Sequence, residues 1–272
     1  MTRALRFPIV IAIVVAFALP GRPSSASAAE RVDVTVRGKT LTLMIYRPYA
    51  PPSKVKGTVI MGSGDVGWVG LAASMAVFLS DEGYVVVGVN VRQYLSSFTS
   101  REKHVTPSGV PADYATIAAY LRTRELLKAP VTVSGVSEGA ALAVLAASAE
   151  ANHEWIAGVI TMGLPASAEL AWRWSDFTTW ITKKDASEPS FAPKDFIASV
   201  SPLPICMIQS TRDEYVTEAE YRELAAAARP PRKLVLIEAS NHRFTDRIQD
   251  LRREFLAALA WIPAESTPLP RH

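Results

Sequence analysis

Six short apolar runs, each rich in β-branched residues, recur along this chain: GTVIMG, YVVVGVN, VTVSG, WIAGVITMG, LPICMIQS and RKLVLIEAS. Apart from the Val-Thr-Val-Ser of VTVSG, none alternates polar with apolar residues, and together they read as the buried strands of one sheet. Between them lie segments of helical spacing. Leu71, Met75, Phe78 and Leu79 share one face of WVGLAASMAVFLSDEG, which Gly83 stops. Further helices are expected from about Ala112 to Lys128, and in EGAALAVLAASAEA, TEAEYRELAAAA and RFTDRIQDLRREFLAALAWI. Buried strands alternating with helices specify βαβ units, hence a mostly parallel sheet covered by helices on both faces. Ahead of them, RVDVTVR and KTLTLMIYRP do alternate around Arg37-Gly38-Lys39, the pattern of an antiparallel hairpin. The expected fold class is α/β, as a single domain over residues 29–272. VRQYLSSFTSREKHVTPSGV reads as a loop. Residues 164–200 break the rhythm and read as an insertion rather than a core element. Its Trp172, Trp174, Phe177, Trp180 and Phe191 suit either a cap over a site or ordinary packing.

The first 28 residues read separately. MTRALRF carries Arg3 and Arg6, PIVIAIVVAFALP is apolar, and Ala26-Ser27-Ala28 closes a small-residue stretch. Basic, apolar and small-residue regions in that order form a cleavable secretory signal. The apolar stretch from Phe7 to Leu19 is shorter than the roughly 20 residues a bilayer span requires. Export to the periplasm or beyond is therefore expected. Loss of this segment removes three arginines from the 29 basic residues and none of the 26 acidic ones, leaving 26 against 26. The basic pI belongs to the precursor, and nucleic-acid binding is not indicated. With Cys206 as its one cysteine, the chain has no internal disulfide, and PICMIQS places that thiol in a buried strand.

In open α/β sheets, ligands sit beyond the carboxyl ends of the strands. After VTVSG stands Ser137, inside Gly135-Val136-Ser137-Glu138-Gly139. A G-x-S-x-G turn between strand and helix lifts a serine hydroxyl above the sheet edge, where the following helix N-terminus favours developing negative charge. After LPICMIQS comes Asp213, which stands nearer the strand end than the competing Glu214 and Glu218. After RKLVLIEAS comes His242; of the other histidines, His104 lies in a loop able to approach the site, while His153 and His272 do not. Ser137, Asp213 and His242 complete the order Ser…Asp…His, in which the histidine moves the serine proton and the carboxylate orients the imidazole. After GTVIMG, the loop Ser63 to Trp68 is placed to give a second oxyanion donor, the Asp65 or Val66 N–H, beside the Glu138 N–H. Ser63 and Trp68 are candidates for substrate contact. No HExxH, Cys/His cluster, P-loop or GxGxxG pattern follows a strand, so neither a metal nor a cofactor is expected.

These residues resemble the α/β-hydrolase superfamily over essentially all of the mature chain. More narrowly, SGDVGW, the GVNVRQY loop and GVSEGA are similar to the VirJ/AcvB branch of bacterial virulence proteins. That branch shows S-G-D-G-G-W, where Val66 here replaces a glycine, and the RQYLSSF loop lacks its aromatic cluster. The resemblance implies a periplasmic protein, hydrolysis of aminoacylated phosphatidylglycerol on the AcvB side, and association with type IV secretion components on the VirJ side. The activity expected is a serine ester hydrolase acting on a small-molecule or lipid ester, with transient contact at a membrane surface. Peptidase or amidase action, and a non-catalytic binding or secretion-accessory role, stay open, because a triad does not by itself choose its leaving group.

Overall fold

The computed structural model describes residues 29–172 and 189–265, so residues 1–28, which the sequence reads as a signal, lie outside the described residues, as do Trp174, Phe177 and Trp180. β1 (Glu30–Val36) and β2 (Lys39–Tyr46) form the expected hairpin, with Val36 opposite Lys39. Its two turn residues, Arg37 at φ 46° and Gly38 at φ 74°, both take the left-handed conformation that matches the twist of the paired strands. Val32, Val34 and Val36 point inward and their neighbours outward, as the alternation requires.

The six apolar runs become β3 (Thr58–Gly62), β4 (Val85–Val89), β5 (Val131–Val136), β6 (Gly158–Met162), β9 (Ile205–Ser210) and β10 (Arg232–Ile237). With the hairpin they build an eight-stranded sheet in the order β1-β2-β4-β3-β5-β6-β9-β10. β2 meets β4 antiparallel, and every later pairing is parallel. Successive residues feed opposite faces. Ile60, Val133, Val159 and Met207 join a core with α3 (Val110–Thr123) and α4 (Glu138–Ser148). Val59, Met61, Ile160 and Ile208 join another with α1 (Leu71–Asp81) and the closing helix α6 (Ile248–Glu265), which contributes Leu251, Phe255 and Leu259. Strands dry on both faces lack alternation for this reason. Cys206 lies in the second core, 1% exposed, and burial pushes its thiol up to about 12.

Three sequence expectations change. VRQYLSSF is not loop but α2 (Val91–Phe98), capped by the Asn90 side chain, which accepts the Gln93 N–H at 3.2 Å. β10 is an edge strand and only half covered, with Leu236 40% exposed, so it is not buried on both faces. Residues 164–200 are not simply an insertion. Their described ends pair as β7 (Ala168–Glu169) and β8 (Ser190–Phe191), and Leu164, Leu170, Phe191, Ile197 and Val200 are built into the core beside α4. α5 (Glu218–Ala227) crosses from β9 to β10 and begins with a capping box between Thr217 and Glu220.

Candidate active site

Ser137 stands between the last residue of β5 and the first of α4, at φ 53° and ψ −119°. A non-glycine residue there is strained, and such strain persists only where surroundings over-determine it. Here the Ser137 N–H is tied to the Met162 carbonyl at the end of β6 at 3.0 Å, and the Ser137 carbonyl accepts the Ala140 N–H at 2.8 Å. The flanking glycines make room for the turn. A Cβ on Gly139 would sit 2.5 Å from the Gly62 and Ser63 backbone, and one on Gly135 would collide with the backbone of Gly139. The motif glycines are thus required by close approach of α4 to β5 and β3.

The parallel pairing of β9 with β10, Ser210 opposite Ile237, brings the next two loops out side by side. Asp213 lies on the first and His242 on the second, and Asp213 Oδ2 is 2.6 Å from His242 Nδ1. Both side chains are buried, the carboxylate completely. An ionised carboxylate only accepts hydrogen bonds, so in this pairing Nδ1 is the donor. Asp213 Oδ1 is held in turn by the N–H groups of Tyr215 and Val216, at 2.9 and 3.0 Å. The imidazole lies on Gly163, where a Cβ would come within 2.5 Å of Cε1, and the Tyr215 ring stands edge-on at 5.3 Å. Ser137 is bonded to Met162 and His242 rests on Gly163, so the two flank one dipeptide at the end of β6. His242 Nε2 is buried and has no hydrogen-bond partner among the described residues. Contacts between nucleophile and base are commonly long without substrate and tighten when it binds.

The Ser63–Trp68 loop reaches the nucleophile through Gly64, whose ideal Cβ position is 3.8 Å from Ser137 Cβ. A turn from the Gly64 carbonyl to the Gly67 N–H, 3.1 Å, holds Asp65 and Val66 exposed at its tip. Ser63 and Trp68, the candidates for substrate contact, both hold this loop in place. Ser63 is fully buried, its hydroxyl donating to the Gly64 carbonyl at 3.0 Å and accepting the Val91 N–H at 3.1 Å, so it fixes the loop to α2. Trp68 packs its ring over Gly88 and donates to the Tyr46 hydroxyl at 3.0 Å, which anchors the loop to the sheet.

Two features of the site have no strong sequence signal. Burial raises the Glu138 carboxyl above the ordinary carboxylate range, the Asp65 charge adds to this and Glu169 a little more, while hydrogen bonds from its own N–H and the Ser137 hydroxyl oppose it. Asp65 and Glu169 thus act electrostatically on the carboxyl that directly follows Ser137. Second, Glu214 accepts the His242 backbone N–H at 2.7 Å. The sequence marks it only as the carboxylate next to Asp213.

The fold is shared with enzymes of known structure. The chain aligns with the esterase domain of a Rhodothermus marinus protein at a TM-score of 0.58 and 16% identity, over 87% of this chain and 98% of that one. An α/β serine hydrolase homologue from Coxiella burnetii matches with a TM-score of 0.60 and 17% identity, over 85% and 97%. In sequence, the uncharacterized protein YfhR of Escherichia coli K12 is 33% identical over 69 residues, which spans 25% of this chain and 24% of that relative. The model of the bacterial virulence protein (VirJ) family matches residues 57–259, from the start of β3 into the last turns of α6 and with all three candidate triad residues inside it, and the chain belongs to that family.

Proposed function

We propose that this protein is an exported serine hydrolase that cleaves carboxylic esters through an acyl-enzyme. The observation that carries the reading is the 2.6 Å bond between His242 Nδ1 and Asp213, formed beside a serine on a strained strand-to-helix turn. Ser137 Oγ attacks the ester carbonyl carbon while its proton passes to His242 Nε2. The oxyanion is held by the Glu138 N–H and by the Asp65 or Val66 N–H of the neighbouring loop. As the carbon–oxygen bond breaks, Nε2 returns the proton to the leaving alcohol. Water, deprotonated by the same nitrogen, then releases the acid. Asp213 fixes the tautomer and stabilises the imidazolium.

The surroundings favour a particular class of ester. Asp65 and Glu169, whose charges act on the Glu138 carboxyl next to Ser137, give the site a negative setting that suits an ammonium-bearing acyl or alcohol group. Val66, Val69 and Tyr215, exposed by 50%, 57% and 62%, offer apolar surface on the two loops that flank the nucleophile and the histidine. Both features support an aminoacylated lipid met at a membrane surface, and the N-terminal signal pattern supports export. The test is turnover on a panel of p-nitrophenyl esters and aminoacyl phospholipids. Ser137→Ala is expected to lower kcat by about 10³-fold or more. Equal turnover by wild type and Ser137→Ala would remove the enzyme reading in favour of a binding role.

A further inference from the structure

The loop that carries His242 binds most of its N–H groups within itself. The Ser240 N–H goes to Asp246 at 2.9 Å, those of Arg243 and Thr245 to the Asn241 side chain, and those of Phe244 and Arg247 to loop carbonyls. The His242 N–H alone among these reaches outside the loop, to Glu214 Oε2 at 2.7 Å. Glu214 directly follows Asp213. Two adjacent carboxylates therefore hold one histidine, the first by its ring and the second by its main chain.

We propose that Glu214 is a positioning residue for His242, clamping the histidine loop to the aspartate loop through the His242 main-chain N–H. The proposal rests on the reading of His242 as the general base. A ring held only at Nδ1 keeps the freedom to swing about that bond as its loop shifts. The second anchor removes this freedom and sets where Nε2 points. Geometry at this level matters, because misplacing a catalytic group by 1 Å costs about 100-fold in rate. Glu214 is itself exposed, so solvent screens its charge. What it supplies is a short hydrogen bond at fixed reach.

Reach and charge are separable. Glu214→Gln keeps the reach and an acceptor oxygen but loses the charge, whereas Glu214→Asp keeps the charge and shortens the reach by one methylene. We expect Glu214→Gln to stay within about threefold of the wild-type kcat, and Glu214→Asp and Glu214→Ala to fall about 30-fold with KM little changed. The low-field proton resonance of the His242–Asp213 bond should stay sharp in wild type and Glu214→Gln, and broaden in the other two. The reverse ranking, with Asp active and Gln impaired, would overturn the clamp in favour of a charge effect. Equal rates and equally sharp resonances in all variants would overturn it as well. Thermal midpoints report folding, and if Glu214→Ala does not fold, the Gln and Asp pair decides. A wild type that hydrolyses no ester would remove the functional reading alone, because the proton resonance tests the clamp without turnover.

Discussion

At Ser137 the chain accepts a positive-φ backbone that costs an L side chain about 1–3 kcal/mol, and the residues around it show why. Bonds to Met162 and from Ala140 hold the turn, while Gly135 and Gly139 let α4 pack against backbone. Gly163 has the same importance from the other side. It sits at φ 61° with the His242 ring 2.5 Å from any Cβ it might carry. Gly163→Ala is expected to cost about 1–2 kcal/mol in left-handed strain and to cut ester turnover about 100-fold by displacing the imidazole. Thermal denaturation and steady-state kinetics check the two effects separately. Glu138 carries a pH signature. Its folded carboxyl titrates above its ordinary 4.5 because burial, then Asp65, disfavour the charged form. Between the unfolded and folded pKa the native state binds more protons than the unfolded chain, so stability falls as pH rises through that window and stays lower above it. Glu138→Gln should therefore raise the thermal midpoint at neutral pH, leave it little changed in acid, and flatten the slope between. An unchanged slope would mean that Glu138 is already ionised in the fold.

Between elements, a buried carboxylate ties the hairpin to the helices. Asp113 of α3, 1% exposed, accepts the Tyr94 hydroxyl of α2 at 2.5 Å and the Arg37 guanidinium of the β1–β2 turn at 2.7 Å. Burial raises the Asp113 carboxyl, and these two partners pull it back. The guanidinium also lies 3.7 Å over the Phe98 ring. Breaking a fully buried pair costs 3–5 kcal/mol, but Arg37 is 41% exposed, so Arg37→Ala is expected to cost about 2 kcal/mol, measured by urea denaturation. A loss below about 0.5 kcal/mol would show that Tyr94 alone satisfies the carboxylate. The elements themselves were unevenly legible. β3 to β6 and β9 announced themselves because strands dry on both faces are continuous in β-branched residues. β10 reads the same in sequence, yet it ends the sheet, and an edge position leaves no mark on composition. α2 reads as loop because VRQYLSSF is short and half polar; its signal is Asn90, an N-cap standing at the end of a strand. The ends of 164–200 read as inserted because their apolar residues are isolated, although the core takes them in one by one.

At the scale of the whole molecule, the sheet order converts distance along the chain into proximity. Parallel strands β5, β6, β9 and β10 all end on one edge, so Ser137, Gly163, Asp213 and His242, far apart in sequence, collect beyond it. This is why three candidate residues could be named from strand ends alone. The rule speaks to which loops converge and not to which atoms they present. Ser63 and Trp68 lie on a converging loop but turn inward to fix it, and Glu214 reaches His242 through the main chain, where its sequence carries no distinguishing mark. On the proposed reading, this convergence activates Ser137. The most direct test is labelling of the purified protein with a fluorophosphonate, followed by mass spectrometry of the modified peptide. One adduct is expected on Ser137 in wild type, none in Ser137→Ala, and labelling slowed at least about 100-fold in His242→Ala. An unlabelled wild type, or an adduct that persists in Ser137→Ala, would contradict that reading.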